Sequence, residues 1–344
     1  MKKKLNNITF FFLLLSFNCL AQTGKPQYRM LNTFSVEGDG GWDYIALDEN
    51  TARIFVSHSM VTNVVDSKSG KLINTIHNTN GVHGIALSQK ENKAFISCGK
   101  DSTVSVINLS TFELITKIKV TGANPDALLY DEFSHKVFVY NARSSNATVI
   151  DAISNAIVAT IPLAGKPEFS VSDGNGKVYV NIEDKNLISE INSTTLKVEN
   201  SWSTLPGEEP SGLALDNNTH RLFSVCNNKK MVIMDAQKGN VITILEIGGY
   251  VDGCVFDPVL KRAYSSNGEG TITVVQEENA NKFSVLTTIP TQKGARTICI
   301  DTKTHHLFLP TAQYDEAPAP TSENTHPRAS IKPGTFEIIE VGTY

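Results

Sequence analysis

Along most of this chain, apolar runs of five or six residues alternate with polar turns, and a longer period lies over that alternation. Seven segments begin alike, at Asp43, His83, Asp126, Glu168, Ser211, Asp252 and Arg296. Each runs straight into apolar residues, as in Tyr44-Ile45-Ala46-Leu47 and Gly84-Ile85-Ala86-Leu87. Successive starts are 40, 43, 42, 43, 41 and 44 residues apart. Each unit reads as four short strands. In the third these are Ala127–Asp131, Lys136–Asn141, Ala147–Asp151 and Ile157–Leu163, parted by turns such as Phe133-Ser134-His135 and Ser154-Asn155. Short strands rich in Val and Ile, spaced about ten residues apart, are an all-β pattern. A four-strand unit at a period of about 40–45 residues is a propeller blade. No stretch keeps the helical period. The pattern predicts a seven-bladed β-propeller of four-stranded antiparallel blades, forming a single domain over residues 22–344.

The seventh unit is one strand short. After Phe336–Val341 the chain has only three residues left. The missing strand stands at the other end, where Leu31-Asn32-Thr33-Phe34 resembles the fourth-strand segment Leu72-Ile73-Asn74-Thr75-Ile76. Tyr28–Val36 is therefore expected to close the last blade, which hides sheet edges that would otherwise be open to other chains.

The first 21 residues follow a different rule. Lys2, Lys3 and Lys4 precede an apolar run from Ile8 to Phe17, and Cys19-Leu20-Ala21 offers small residues before a cleavage point after Ala21. This is the pattern of a secretory signal peptide, so a periplasmic or secreted protein is expected. The competing reading, lipidation at Cys19, has a poor lipobox in Ser16-Phe17-Asn18. No later stretch is long and apolar enough to span a membrane as a helix. Cleavage removes three lysines and no acids, taking the formal charge from −4 to −7. That balance opposes nucleic-acid binding, which relies on a basic surface. The remaining cysteines, Cys98, Cys226, Cys254 and Cys299, form no CxxC pair, so no zinc or redox motif exists. Most lie in apolar runs and are expected as buried free thiols, although an exported protein could form disulfides.

The repeat also places candidate chemistry. First strands line the channel of a propeller, and second strands run back antiparallel. The starts of the first and the ends of the second therefore reach one face. The first set puts an ionisable residue at six of seven equivalent points: Asp43, His83, Asp126, Glu168, Asp252 and Arg296. The second contributes His58, Asn141 and Asn267. Glu208 and Glu209 precede the fifth unit, and Glu183 and Glu269 follow second strands. Packing requires no such charge, and acids crowded on one rim should have raised pKa values. A cation could offset them. Asp126, Glu168 and Asp252 are the expected ligands if it is divalent, and carboxylates with Asn oxygens suit Ca²⁺ or Mg²⁺. His58 and His83 would suit a transition metal. Trp42 either stands exposed for stacking or plugs the gap between blades one and seven. The long loop 312–333, with Pro318, Pro320, Pro327 and Pro333 around His326 and Arg328, is expected on the same face, as a lid or as a surface loop.

Five stretches carry a family resemblance. Lys136-Val137-Phe138-Val139-Tyr140-Asn141 and Thr148-Val149-Ile150-Asp151 resemble the YVTN repeat. Gly40-Gly41-Trp42-Asp43-Tyr44, Glu208-Glu209-Pro210-Ser211-Gly212 and Leu309-Pro310-Thr311-Ala312 look like a secreted YncE-like subgroup of that family. The resemblance implies the propeller fold and leaves the activity open, because one fold hosts many functions. The expected role is binding or interaction, with a small polar ligand or a protein partner at the channel mouth. Some propellers similar in fold are metal-dependent lactonases or a streptogramin lyase. That likeness implies, as an alternative, an enzyme with His83 or His58 as base. Some YVTN-repeat relatives bind nucleic acid, the reading that the charge opposes.

Overall fold

The computed structural model describes residues 26–319, 321 and 329–343. Residues 1–21, expected as a signal peptide, and with them the expected cleavage and localisation, lie outside these residues, as do Pro320, His326, Pro327 and Arg328. Among the described residues no helix is long and apolar enough to cross a membrane.

Seven four-stranded antiparallel sheets form the molecule, as the repeat predicts. The third blade comprises Pro125–Asp131, Lys136–Asn141, Asn146–Asp151 and Ile157–Pro162, within a residue or two of the expected bounds. The middle strands are almost wholly buried, and the outermost ones are largely exposed. Apolar clusters fill the gaps between blades rather than a single centre. One joins Phe55 of blade one to Ala94 and Ile107 of blade two, and another joins Val137 of blade three to Phe95 of blade two.

Closure is also as expected. Tyr28–Ser35 pairs antiparallel with the last strand, Glu337–Thr343, from Tyr28 opposite Thr343 to Ser35 opposite Glu337. Phe34 is buried, and Val36 continues the pairing by donating to the Phe336 carbonyl at 2.9 Å. The Tyr28 hydroxyl meets the Tyr264 hydroxyl at 2.9 Å and accepts from Arg262 at 3.0 Å, tying the added strand to blade six.

Trp42 is buried against Phe336 and Tyr314, in the cluster that joins blades one and seven. Of the two roles open to it, the structure gives the plug. All four cysteines are buried free thiols, and burial pushes the Cys226 thiol up to about 12. His305 ends the turn before a second strand and His306 begins that strand. They are tied to Asp257 at 2.7 Å and Glu340 at 2.6 Å, respectively.

Candidate functional site

The channel mouth is built from the first residues of the first strands. In six blades the pattern there is polar, apolar, polar: Gly41-Trp42-Asp43, Gly81-Val82-His83, Asn124-Pro125-Asp126, Lys166-Pro167-Glu168, Glu209-Pro210-Ser211 and Tyr250-Val251-Asp252. Side chains alternate across a strand. The central residue of each triplet is buried between blades, and the flanking ones can face the mouth. In blade seven regular pairing begins only at Cys299, so Arg296 precedes the strand proper.

This alternation decides the fate of the second-strand residues. His58 pairs with Trp42, Asn141 with Pro125, and Asn267 with Val251. They share the buried face of the apolar residue and do not reach the mouth. His58 packs against Phe336, with ring centroids 4.1 Å apart and the planes tilted by 32°, and contacts Asn63 through Nδ1 at 3.1 Å. Burial pushes its pKa down. Asn141 donates to Asn146 and Thr148, and Asn267 to Thr271 and Thr273. These three candidates hold turns together instead of forming a site. Glu209 is exposed and accepts from Asn227 at 3.2 Å, on the border of the mouth. Glu208 is exposed beside it, and Glu269 pairs with Lys229.

The six ionisable first-strand residues do converge. His83 Nδ1 lies 2.7 Å from Asp43 and 3.6 Å from Asp126. Arg296 donates to Asp252 at 2.8 Å and to the Trp42 carbonyl at 2.9 Å, and it approaches Asp43 at 3.5 Å. Asp252 also accepts from Ser211 at 2.7 Å. Glu168 is held by Lys166 at 2.6 Å, and Lys166 also pairs with Glu183. The backbones beneath are latched from blade to blade. Ser97 donates to the Asp126 carbonyl at 2.5 Å, Asn181 to that of Ser211 at 2.8 Å, and Thr297 to that of Asp43 at 2.5 Å. A Cβ on Gly84 would lie 2.7 Å from the Asp126 carbonyl oxygen, so glycine at this point lets blades two and three close up. That approach brings His83 to Asp126.

The mouth holds more negative charge than it neutralises. Burial, then Asp43, raises Asp126 to about 7. Glu168 is also raised, by burial first and then by Asp126, in spite of Lys166. Asp252 moves in the same direction through burial and Asp43, against the pull of Arg296. Burial opposes charge on His83, yet its bond to Asp43 and the nearby Asp126 raise its pKa. Tyr44 forms the floor. Its ring crosses the channel to Phe169, with centroids 5.7 Å apart, and four surrounding carboxylates add to burial in raising its hydroxyl.

As for a divalent ion, the expected set of Asp126, Glu168 and Asp252 is not the one whose donor atoms gather. Lys166 holds Glu168, and Arg296 with Ser211 holds Asp252. Among the described residues the convergent group is Asp43, His83 and Asp126, with ligand atoms within 4.8 Å of one another. Lys166, Tyr44 and Tyr250 also line the acidic cavity and were not singled out from the sequence. Lys166 and Tyr250 occupy the outer polar place of their triplets, which the strand alternation could have supplied. Tyr44 is hidden in an ordinary apolar run.

The fold and site together define an all-β seven-bladed propeller with a charged channel mouth. No protein-family model matches the sequence, and no curated protein matches it. Among solved structures, the hydrazine synthase of Kuenenia stuttgartiensis shares the fold at a TM-score of 0.70 and 14% identity, covering 80% of this chain and 94% of that one. A likeness at this identity speaks for the architecture alone.

Proposed function

We propose that this protein is an exported binding propeller of the YVTN-repeat, YncE-like kind, which takes a small ligand bearing a cationic group at its channel mouth. One observation carries this reading. Carboxylates from blades one, three, four and six face a single cavity of about 360 Å³, joined by Glu183 and offset, among the described residues, only by Lys166 and Arg296. Largely buried acids whose pKa values are raised by burial and by one another form a site that a cation completes. Tyr44 and Tyr250 line the same cavity, and aromatic faces suit an organic ammonium. The volume is that of a small-molecule cleft. The acidic mouth and the acidic mature chain both weigh against nucleic acid.

A second reading, a metal centre that could support lactonase-like hydrolysis or a lyase reaction, has the trio Asp43, His83 and Asp126 in its favour. One nitrogen and two carboxylate oxygens suit a transition ion. That ion must first displace the proton that His83 shares with Asp43. Calorimetric titration with propylamine, 1,6-diaminohexane, Ca²⁺, Mg²⁺, Mn²⁺ and Zn²⁺ separates the readings. The amines should bind, and Asp252→Asn should weaken them roughly tenfold, since one charged hydrogen-bonding partner is lost. Zinc or manganese binding without amine binding would replace the first reading with the second.

A further inference from the structure

The acidic cavity does not stand alone. A second one, of about 630 Å³, opens on the same face, and Asp43 and Arg296 line both. Its walls carry the opposite charge: Lys100, Arg143, Arg296 and His83 against Asp43. Lys100 and Arg143 are exposed, and neither forms an ion pair among the described residues. Lys100 Nζ rests 3.7 Å from the Met60 sulfur. Arg296 is already committed to Asp252 and Trp42, so it forms the seam between the lobes. The two unpaired cations are left facing open space beside a pocket that attracts cations.

We propose that the mouth takes a zwitterion, with its ammonium end in the acidic lobe and a carboxylate or phosphate end in the basic lobe. This rests on the cation-binding reading and narrows its ligand class. Adjacent fields of opposite sign orient a dipolar molecule, and like charges forced together in either lobe repel. A guanidinium beside an ammonium is a common receiver for either anion. A diamine must place one charge among Lys100, Arg143 and Arg296, and a dicarboxylate must place one among Asp126, Glu168 and Asp252.

The test uses matched probes: ω-amino acids of two to eight carbons, ω-aminoalkyl phosphates, and the diamines and dicarboxylates of equal length, titrated by calorimetry. At the best length an amino acid or aminoalkyl phosphate should bind roughly tenfold tighter than the diamine and tighter still than the dicarboxylate. The double variant Lys100→Ala/Arg143→Ala, altered only at exposed positions, should lose that preference, by weakening the zwitterions and tightening the diamine as the repulsion is relieved. The better of the two anionic ends identifies the ligand's anion. Diamines that bind as tightly as the zwitterions at every length would overturn this proposal and leave the cation-binding reading standing. Binding by the dicarboxylates alone, or by none of the probes, would overturn both.

Discussion

A variant lacking residues 26–36 should fail to form a stable monomer. The last blade would lose its outer strand and expose the edge of Glu337–Thr343, an invitation to pairing between chains. It would also lose the buried Phe34 and Val36 and the Tyr28 link to Tyr264 and Arg262. Emptying one buried phenylalanine site costs about 3–5 kcal/mol. The hydrogen-bond ladder and the edge come on top of that, against the roughly 5–15 kcal/mol that separates a folded domain from its unfolded chain. The milder change Phe34→Ala isolates one part of this loss. It should cost about 3–5 kcal/mol and lower Tm by roughly 10 °C, measured by urea and thermal unfolding. A Phe34→Ala protein as stable as the parent would mean that the terminal strand does not close the ring.

The second large effect has the opposite sign. Asp126→Asn should stabilise the protein at alkaline pH. Its carboxyl is raised by burial and by Asp43 from the ordinary 3.8 to about 7 in the fold. A raised folded pKa means that the native state holds the proton more tightly than the unfolded chain. The stability this gives is complete below about pH 4 and is lost as pH climbs through about 7. Asparagine imitates the protonated form and carries no such penalty. The variant should therefore match the parent near pH 4 and exceed it by about 2–4 kcal/mol at pH 8, seen in denaturant midpoints. Equal stabilities at both pH values would mean that Asp126 carries no such strain. Proteins commonly give up stability in this way where a site is prepared for a ligand.

The contrast between the two effects follows what the sequence makes legible. The closure of the ring was legible because it is periodic. A strand that repeats at 40–44 residues appears seven times, and its absence at one end is as visible as its presence at the other. The ring of charges was legible for the same reason, since Asp43, His83, Asp126, Glu168, Asp252 and Arg296 hold one place in the period. His58, Asn141 and Asn267 were misplaced because the end of a strand gives its height in the molecule, not the direction of its side chain. Direction depends on which residue lies opposite, and that residue is Trp42, Pro125 or Val251, all buried. Lys166 was missed because it departs from the repeat: Gly41, Gly81 and Asn124 hold the same place in the first three blades. The basic lobe joins Lys100 and Arg143 from loops of different blades, a juxtaposition that no spacing along the chain encodes.

The most direct test of the cationic site is proton-linked calorimetry with 1,6-diaminohexane, run at pH 6 and pH 8 in buffers of different ionisation enthalpy. If the mouth is an acidic ring that holds protons for want of a cation, the amine must expel protons as it binds. Binding should release about one proton at pH 6, mainly from Asp126, and be roughly tenfold tighter at pH 8. Asp126→Asn should reduce the release and flatten the pH dependence, leaving the share that comes from Glu168, Asp252 and His83. Binding that is equally strong at both pH values and releases no proton, or no binding at either, would contradict the proposed role of the channel mouth.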